Sequence, residues 1–227
     1  MFPWETAVNI LMTEIYRHHR IKIEPRQWKS VVDELVKSIP LILTPCAGRL
    51  YGIWRNQIGR PRDELTIITV WKDRQTNSEV LTSFLADIRE VTDHDTIIMH
   101  PTHRPKNSLP PAKQGNYAFR WFETPADNWL EFLDLCIQAW PGFEKSYDSQ
   151  VIGLWKVSTK PSNSVRALLL TRRPNLAMWE QSKIPRNKTE QQIRDKLSRR
   201  YDLCDSTFVY TTTLLTAHDH ADETRWT

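Results

Sequence analysis

The sequence predicts an α+β fold: two βαββαβ units packed sheet to sheet as a pseudo-dimeric barrel. Three observations carry this. A motif occurs twice with one spacing: Trp28, Pro40, Gly52 and Trp54 stand in the pattern W-x11-P-x11-G-x-W, and Trp129, Pro141, Gly153 and Trp155 repeat it. Around each copy, strand-like runs rich in β-branched and aromatic residues alternate with stretches of helical apolar periodicity. Between the copies lies "HRPKNSLPPAKQGN" (His103 to Asn116), whose Pro, Lys, Ser and Gly mark a linker.

The elements follow in order. "EIYRHHRIKI" (Glu14 to Ile23) and "YAFRWFE" (Tyr117 to Glu123) read as the first strand of each unit. Arg20 lies five residues before Pro25 and Arg120 five before Pro125, so the two arginines are expected at matched positions. Each proline is expected to open a helix, where its missing N–H costs nothing. Thr124 is the expected N-cap in the second unit. Trp28, Val31, Val32, Leu35, Val36 and Ile39 then form one apolar stripe. Trp129, Leu130, Phe132, Leu133, Cys136, Ile137 and Trp140 form another, so each helix should cover a sheet.

Two strands come next in each unit: Arg49 to Asn56 with Glu64 to Trp71, and Val151 to Val157 with Val165 to Thr171. "TIITVW" from Thr66 answers "ALLLTR" from Ala167 with a one-residue slip. Second helices are expected near Val80 to Val91 and Glu190 to Tyr201, and closing strands near Thr96 to Thr102 and Thr207 to Leu215. This βαββαβ order is the ferredoxin-like arrangement, with both helices on one sheet face. The expected boundaries are a first ferredoxin-like repeat over 8–104, a linker over 105–116, a second repeat over 117–216 and a polar, frayed tail over 217–227.

One such unit leaves a bare apolar sheet face, which is a liability in water. Two units bury it by packing face to face into a closed or nearly closed eight-stranded barrel with helices outside. A cavity between the sheets is the expected ligand site.

The stretches "YGIWRNQIGRPRDELTIITVWKD" and "VIGLWKVSTKPSNSVRALLLTRRPNLAMWEQSK" resemble NIPSNAP domains of the dimeric α+β barrel superfamily. The likeness is clearest in Gly-x-Trp, the apolar strand after it and the segment Leu176 to Lys183. Arg26 stands where family members often carry a glycine. The resemblance implies the barrel fold. It implies little chemistry, because the superfamily includes cofactor-independent monooxygenases, polyketide cyclases and haem enzymes, and a fold does not fix a function. No cofactor is expected from the residues themselves, with haem or a metal left open.

Strand alternation sorts the candidate site residues. Tyr16, His18, Arg20 and Lys22 share a parity and are expected inside the barrel, with Ile15, Ile21 and Ile23 facing the helices. Arg120, with Ala118 and Phe122, is expected inside by the same parity. Polar groups pointing into a barrel are costly unless they bind each other, water or a ligand. His100, on the neighbouring closing strand, is expected to approach His18, giving a pair able to move a proton beside an oxyanion held by Arg20 or Arg120. The alternatives are a solvated barrel mouth or a structural His–Arg hydrogen-bond network. Trp54 and Trp155 either line the cavity or pack as core. Gly52 and Gly153 are expected to mark bulges or close backbone approach.

Composition narrows the classes further. Of 227 residues, 40% are hydrophobic and 26% charged, an ordinary globular balance. The net charge of +4 is modest, and its densest stretch, Lys183 to Arg200, reads as a solvated helix face rather than a nucleic-acid surface. An RNA-binding sheet would need aromatic residues on its third strand, which "DELTIITVW" and "VRALLLTRR" lack. The three cysteines, Cys46, Cys136 and Cys204, show neither a disulfide framework nor zinc spacing, which fits the reducing cytoplasm. No apolar run nears the roughly 20 residues of a membrane span, and "MFPWETAVNILMTEIYRHHR" lacks the form of a signal peptide.

Two functions remain open. One is cofactor-independent acid/base conversion of an aromatic or polyketide-like metabolite in the cavity, with Tyr16, Trp54, Phe122 and Trp155 lining it. The other is a non-catalytic ligand-binding or assembly module, as a monomeric pseudo-dimer or a homodimer, whose barrel interior is solid.

Overall fold

The computed structural model describes residues 14–72, 79–158 and 163–218. The expected tail from 219 onward and the first residues of the first repeat lie outside these ranges. Eight strands form a closed antiparallel barrel: β1 (Ile15–Ile23), β2 (Gly48–Ile58), β3 (Glu64–Trp71), β4 (Val91–Pro101), β5 (Asn116–Pro125), β6 (Gln150–Val157), β7 (Ser164–Arg173) and β8 (Ser206–Leu214). Around the barrel they run β1-β3-β2-β8-β5-β7-β6-β4. Each half therefore keeps the ferredoxin-like order, β4-β1-β3-β2 and β8-β5-β7-β6. The halves join where β2 pairs with β8 and β4 with β6. The predicted fold class holds.

The helices are α1 (Trp28–Leu43), α2 (Glu79–Asp87), α3 (Trp129–Tyr147), α4 (Leu176–Gln181) and α5 (Lys188–Asp202). Short α4 was not expected. The long helices start later than the sequence suggested. Pro25 lies in a turn, and Pro125 ends β5 before a 3-10 turn over Ala126–Asn128. Thr124 does not cap: it is buried, with its hydroxyl 3.5 Å from Cys204 Sγ. Its strand simply runs on through the proline, whose lack of an N–H donor is tolerated at a strand end.

Alternation produces three separate cores. Ile21, Ile23, Leu65 and Ile67 pack outward under α1 and α2. Phe122, Leu154, Ala167 and Leu169 pack outward under α3 and α5. The inward residues of all eight strands form one cluster spanning both halves, including Tyr16, Tyr51, Trp54, Met99, Tyr117, Phe119, Trp121, Trp155 and Tyr210.

The duplicated tripeptide has a direct physical reason. Both tryptophan rings fold back over their own strand, so a Cβ on Gly52 would stand 2.5 Å from Trp54 Cη2, and one on Gly153 2.4 Å from Trp155 Cη2. The pairing of β2 with β3 and of β6 with β7 shifts register at these glycines, which is the expected bulge. Trp54 then meets Tyr117 and Phe119 of the other half, at ring-centroid distances of 6.0 and 5.4 Å. Trp155 meets Tyr16 and Tyr51 of the first half, at 5.3 and 6.3 Å.

Candidate functional site

The expected inter-sheet site is packed. Tyr16, Trp54 and Trp155 are core residues of the barrel interior, and burial raises the Tyr16 hydroxyl above its usual range. His18 points inward as expected. It lies against Trp121 and Phe119, and its Nε2 is 3.2 Å from the Tyr210 hydroxyl. Burial, and next the charge of Arg60, pushes the imidazole down to about 3, so it is neutral at physiological pH. The described cavities open outside the barrel or at its linker-covered end.

Two expected partners are not where the sequence put them. His100 shares the strand face opposite Met99, whose side chain is in the interior core, and its Nε2 is 3.0 Å from Ser158 Oγ. His18 and His100 therefore point to opposite sides of the wall. Arg20 sits at the barrel rim, 3.4 Å from Glu64, whose buried carboxylate also accepts from Arg60 and Asn56. It neutralises an acid rather than waiting for an oxyanion.

Arg120 and Phe122 are the main correction. On β5 the inward residues are Tyr117, Phe119 and Trp121, so Arg120 and Phe122 face the helices. Register shows why. His19 pairs with Ile67 on β3, and Arg120 pairs with Leu169 on β7; Ile67 and Leu169 both face the helix layer. Arg120 thus corresponds to His19, not to Arg20.

Facing outward, Arg120 reaches a cleft of about 430 Å³ between the second half-sheet and α3, α4 and α5. Its floor is Ala118, Arg120, Thr171 and Arg173; its walls include Trp140, Phe143 and Trp179. Arg194 and Arg200 of α5 and Lys183 after α4 also line it. The wall helices are locally fixed. The Asn175 side chain accepts from Met178 N–H at the start of α4, and Asn187 from Glu190 N–H at the start of α5. The Lys183-to-Arg200 stretch is therefore more than a solvated face, because the helix turns Arg194 and Arg200 toward the sheet.

These cations are held without acids. Arg173 is 9% exposed, and its guanidinium stacks between Trp179 at 4.6 Å and Phe143 at 5.1 Å. It donates to Thr171 Oγ1 at 3.1 Å, while its Nε has no acceptor. Arg200, also 9% exposed, lies over Phe122 at 4.9 Å, and its Nε too lacks an acceptor. Among the described residues no carboxylate pairs with Arg120, Arg173, Arg194 or Arg200. Burial, then the charges of Arg200 and Arg194, lowers Arg120 to about 10; burial, then Arg120, lowers Arg173 to about 10. Both remain cationic at neutral pH. Buried charges are ordinarily paired, so this arrangement is primed for an anion.

The first half fills the same space. Trp71 occupies the place of Arg173: each lies three residues beyond the strand residue paired with the bulge glycine, Ile68 and Leu170. Trp71 is fully buried and donates its indole N–H to Thr69 at 2.8 Å. Arg17, where the second half has Ala118, stacks on Trp71 at 4.5 Å. His19, where the second half has Arg120, is held by Thr96 and Thr69 at 2.9 and 3.0 Å. The swaps Trp71/Arg173 and Arg17/Ala118 open the second cleft and close the first.

The cleft does not suit haem. Its lining contains no His, Cys or Met, and Tyr201, a less common type of axial ligand, is exposed at the rim. Among the described residues no group of three or more His, Cys, Asp or Glu is placed to hold a metal ion. No described helix is long and apolar enough to cross a membrane.

No family model matches the chain, and no curated protein matches it in sequence. Solved structures match its fold. A candidate monooxygenase from Lactobacillus acidophilus NCFM aligns with a TM-score of 0.59 at 10% identity, over 90% of this chain and 97% of that one. An anthrone oxidase-like protein aligns at 0.55 and 10% identity, over 89% and 92%. The chlorite dismutase from Candidatus Nitrospira defluvii in complex with imidazole aligns at 0.60 and 8% identity, over 94% and 95%. At such identities the likeness concerns the fold, and the fold is that of the dimeric α+β barrels.

Proposed function

We propose that this α+β barrel protein binds a small organic anion in the cleft between the second half-sheet and α3, α4 and α5. The observation that carries the reading is a set of arginines, half-buried Arg120 and buried Arg173 and Arg200, facing one cavity with no carboxylate among the described residues paired to them. The cavity volume lies within the usual range for small-molecule sites, and aromatic walls suit a flat ligand. A NIPSNAP-like membership within the barrel superfamily agrees with this location, since the segment that carries the resemblance, Leu176 to Lys183, supplies Trp179, Ser182 and Lys183 to the lining. The reading favours binding over the acid/base conversion once expected of His18 and His100. The one is neutral inside a packed core and the other faces the opposite side of the sheet.

A panel of aromatic carboxylates and phosphates tested by thermal shift and calorimetry checks this. At least one should raise the melting temperature of the native protein. In Arg173→Met that response should vanish, while the ligand-free melting temperature rises, because an uncompensated buried charge is replaced by an apolar chain of similar length. Anion stabilisation that survives intact in Arg173→Met would rule the cleft out.

A further inference from the structure

The cleft holds more positive charge than one simple acid group can neutralise. Five cations line it, Arg120, Arg173, Lys183, Arg194 and Arg200, against the single carboxylate of Asp202 on an exposed rim, a balance of five minus one. They stand close enough to repel: Arg200 and Arg194 act on Arg120, and Arg120 on Arg173. A monocarboxylate brings one charge and two oxygens. A phosphomonoester brings about −1.5 to −2 at neutral pH and three strong acceptor oxygens. The planar guanidinium fork matches phosphate oxygens two at a time, and such charge-assisted bonds are about twice as strong as neutral ones.

The unmet donors fit the same ligand. Arg173 and Arg200 each commit Nη1 to the protein, to Thr171 Oγ1 and Cys136 Sγ, and their Nε groups are sealed from solvent, but each Nη2 has no acceptor among the described residues. Stacking on Phe143, Trp179 and Phe122 fixes the planes of both guanidinium groups without using their N–H donors. Hydrogen-bond acceptors supplied from the cavity would satisfy what the protein leaves open. Lys183 and Arg194 add a positive rim that draws an anion inward.

We propose that the ligand is a phosphorylated small molecule, its phosphoryl group held by Arg120, Arg173 and Arg200 and its planar organic part lying along Trp140 and Trp179. This rests on the organic-anion reading above and narrows it.

Calorimetry on the whole protein at about pH 7.5, where the second phosphate ionisation is nearly complete, compares phenyl phosphate, benzoate and inorganic phosphate at equal ionic strength. Phenyl phosphate should bind on the order of tenfold tighter than benzoate, and tighter than inorganic phosphate. Arg194→Gln should weaken phenyl phosphate several-fold, roughly twice the effect on benzoate in logarithmic terms. Benzoate binding as tightly as phenyl phosphate overturns the phosphoryl assignment and leaves the organic-anion reading standing. Inorganic phosphate matching phenyl phosphate overturns the role given to the aromatic wall. Failure of all three to bind overturns this proposal, and the broader reading falls with it only if the wider anion panel is also silent.

Discussion

At the scale of single residues, burial decides what a titratable group can do. His18 sits in the interior where the second half carries Phe119, since His18 pairs with Ile68 and Phe119 with Leu170 at equivalent register. Burial holds His18 near 3, and His19 near 3 as well. An unfolded histidine titrates near 6.5. Between those values the unfolded chain binds more protons than the folded one, so stability is full above about pH 6.5 and is lost as pH falls toward 3. Each histidine should contribute a slope of about 1.4 kcal/mol per pH unit in that window. His18→Phe keeps an aromatic ring against Trp121 and leaves the Tyr210 hydroxyl its Thr66 contact at 3.3 Å. Urea titrations between about pH 4 and 7 should show the slope reduced by one histidine's share. A slope equal to that of the unmodified protein would mean that His18 is not held neutral by the fold.

At the scale of elements, the Gly-x-Trp strand is a unit in which the glycine exists for the ring. Gly153→Ala places a methyl group 2.4 Å from Trp155 Cη2, and the ring is locked by Tyr16 and Tyr51. The expected loss is about 1–3 kcal/mol, typical of an overpacked core. Adding Trp155→Phe removes the clashing atoms, so the double variant should be less destabilised than the sum of the singles, measured by denaturant unfolding. Strict additivity would break the proposed link. This motif made the fold legible, because its spacing reflects packing that both halves need. The cleft was not legible for a matching reason. Trp28 and Trp129 are 101 apart (129 − 28), whereas Pro25 and Pro125 are 100 apart (125 − 25), so matching on the prolines put Arg120 on the wrong strand face. Strand and helix keep the same offset, since His19 matches Arg120 as Trp28 matches Trp129, so the proline alone is displaced by one residue; beside it Arg26 adopts φ 68°, the left-handed region that favours glycine. The missing acid partners of Arg173 and Arg200 are a property of three dimensions that no spacing reveals.

At the scale of the whole molecule, closure and asymmetry are separate achievements. Closure comes from the β2–β8 and β4–β6 ladders and from tryptophans that each cross into the other half. The ring of described strands closes, so none of them is left wholly unpaired along one side. Asymmetry comes from the outward face, where Trp71, Arg17 and His19 fill in the first half what Arg173, Ala118 and Arg120 leave open in the second. The inward face is thus committed to stability and the outward face of one half to binding. Cutting the chain in the linker separates the two. Either half alone would bare its share of the interior core, including Tyr16, Tyr51 and Trp54 in one and Tyr117, Phe119 and Trp155 in the other. Neither should run as a compact monomer in size-exclusion chromatography with light scattering. Mixed or co-expressed, they should form a one-to-one complex that melts cooperatively and still binds anions, because every named cleft residue belongs to the second half. A lone half that stays monomeric and unfolds cooperatively would show that cross-barrel burial is not what holds the structure together.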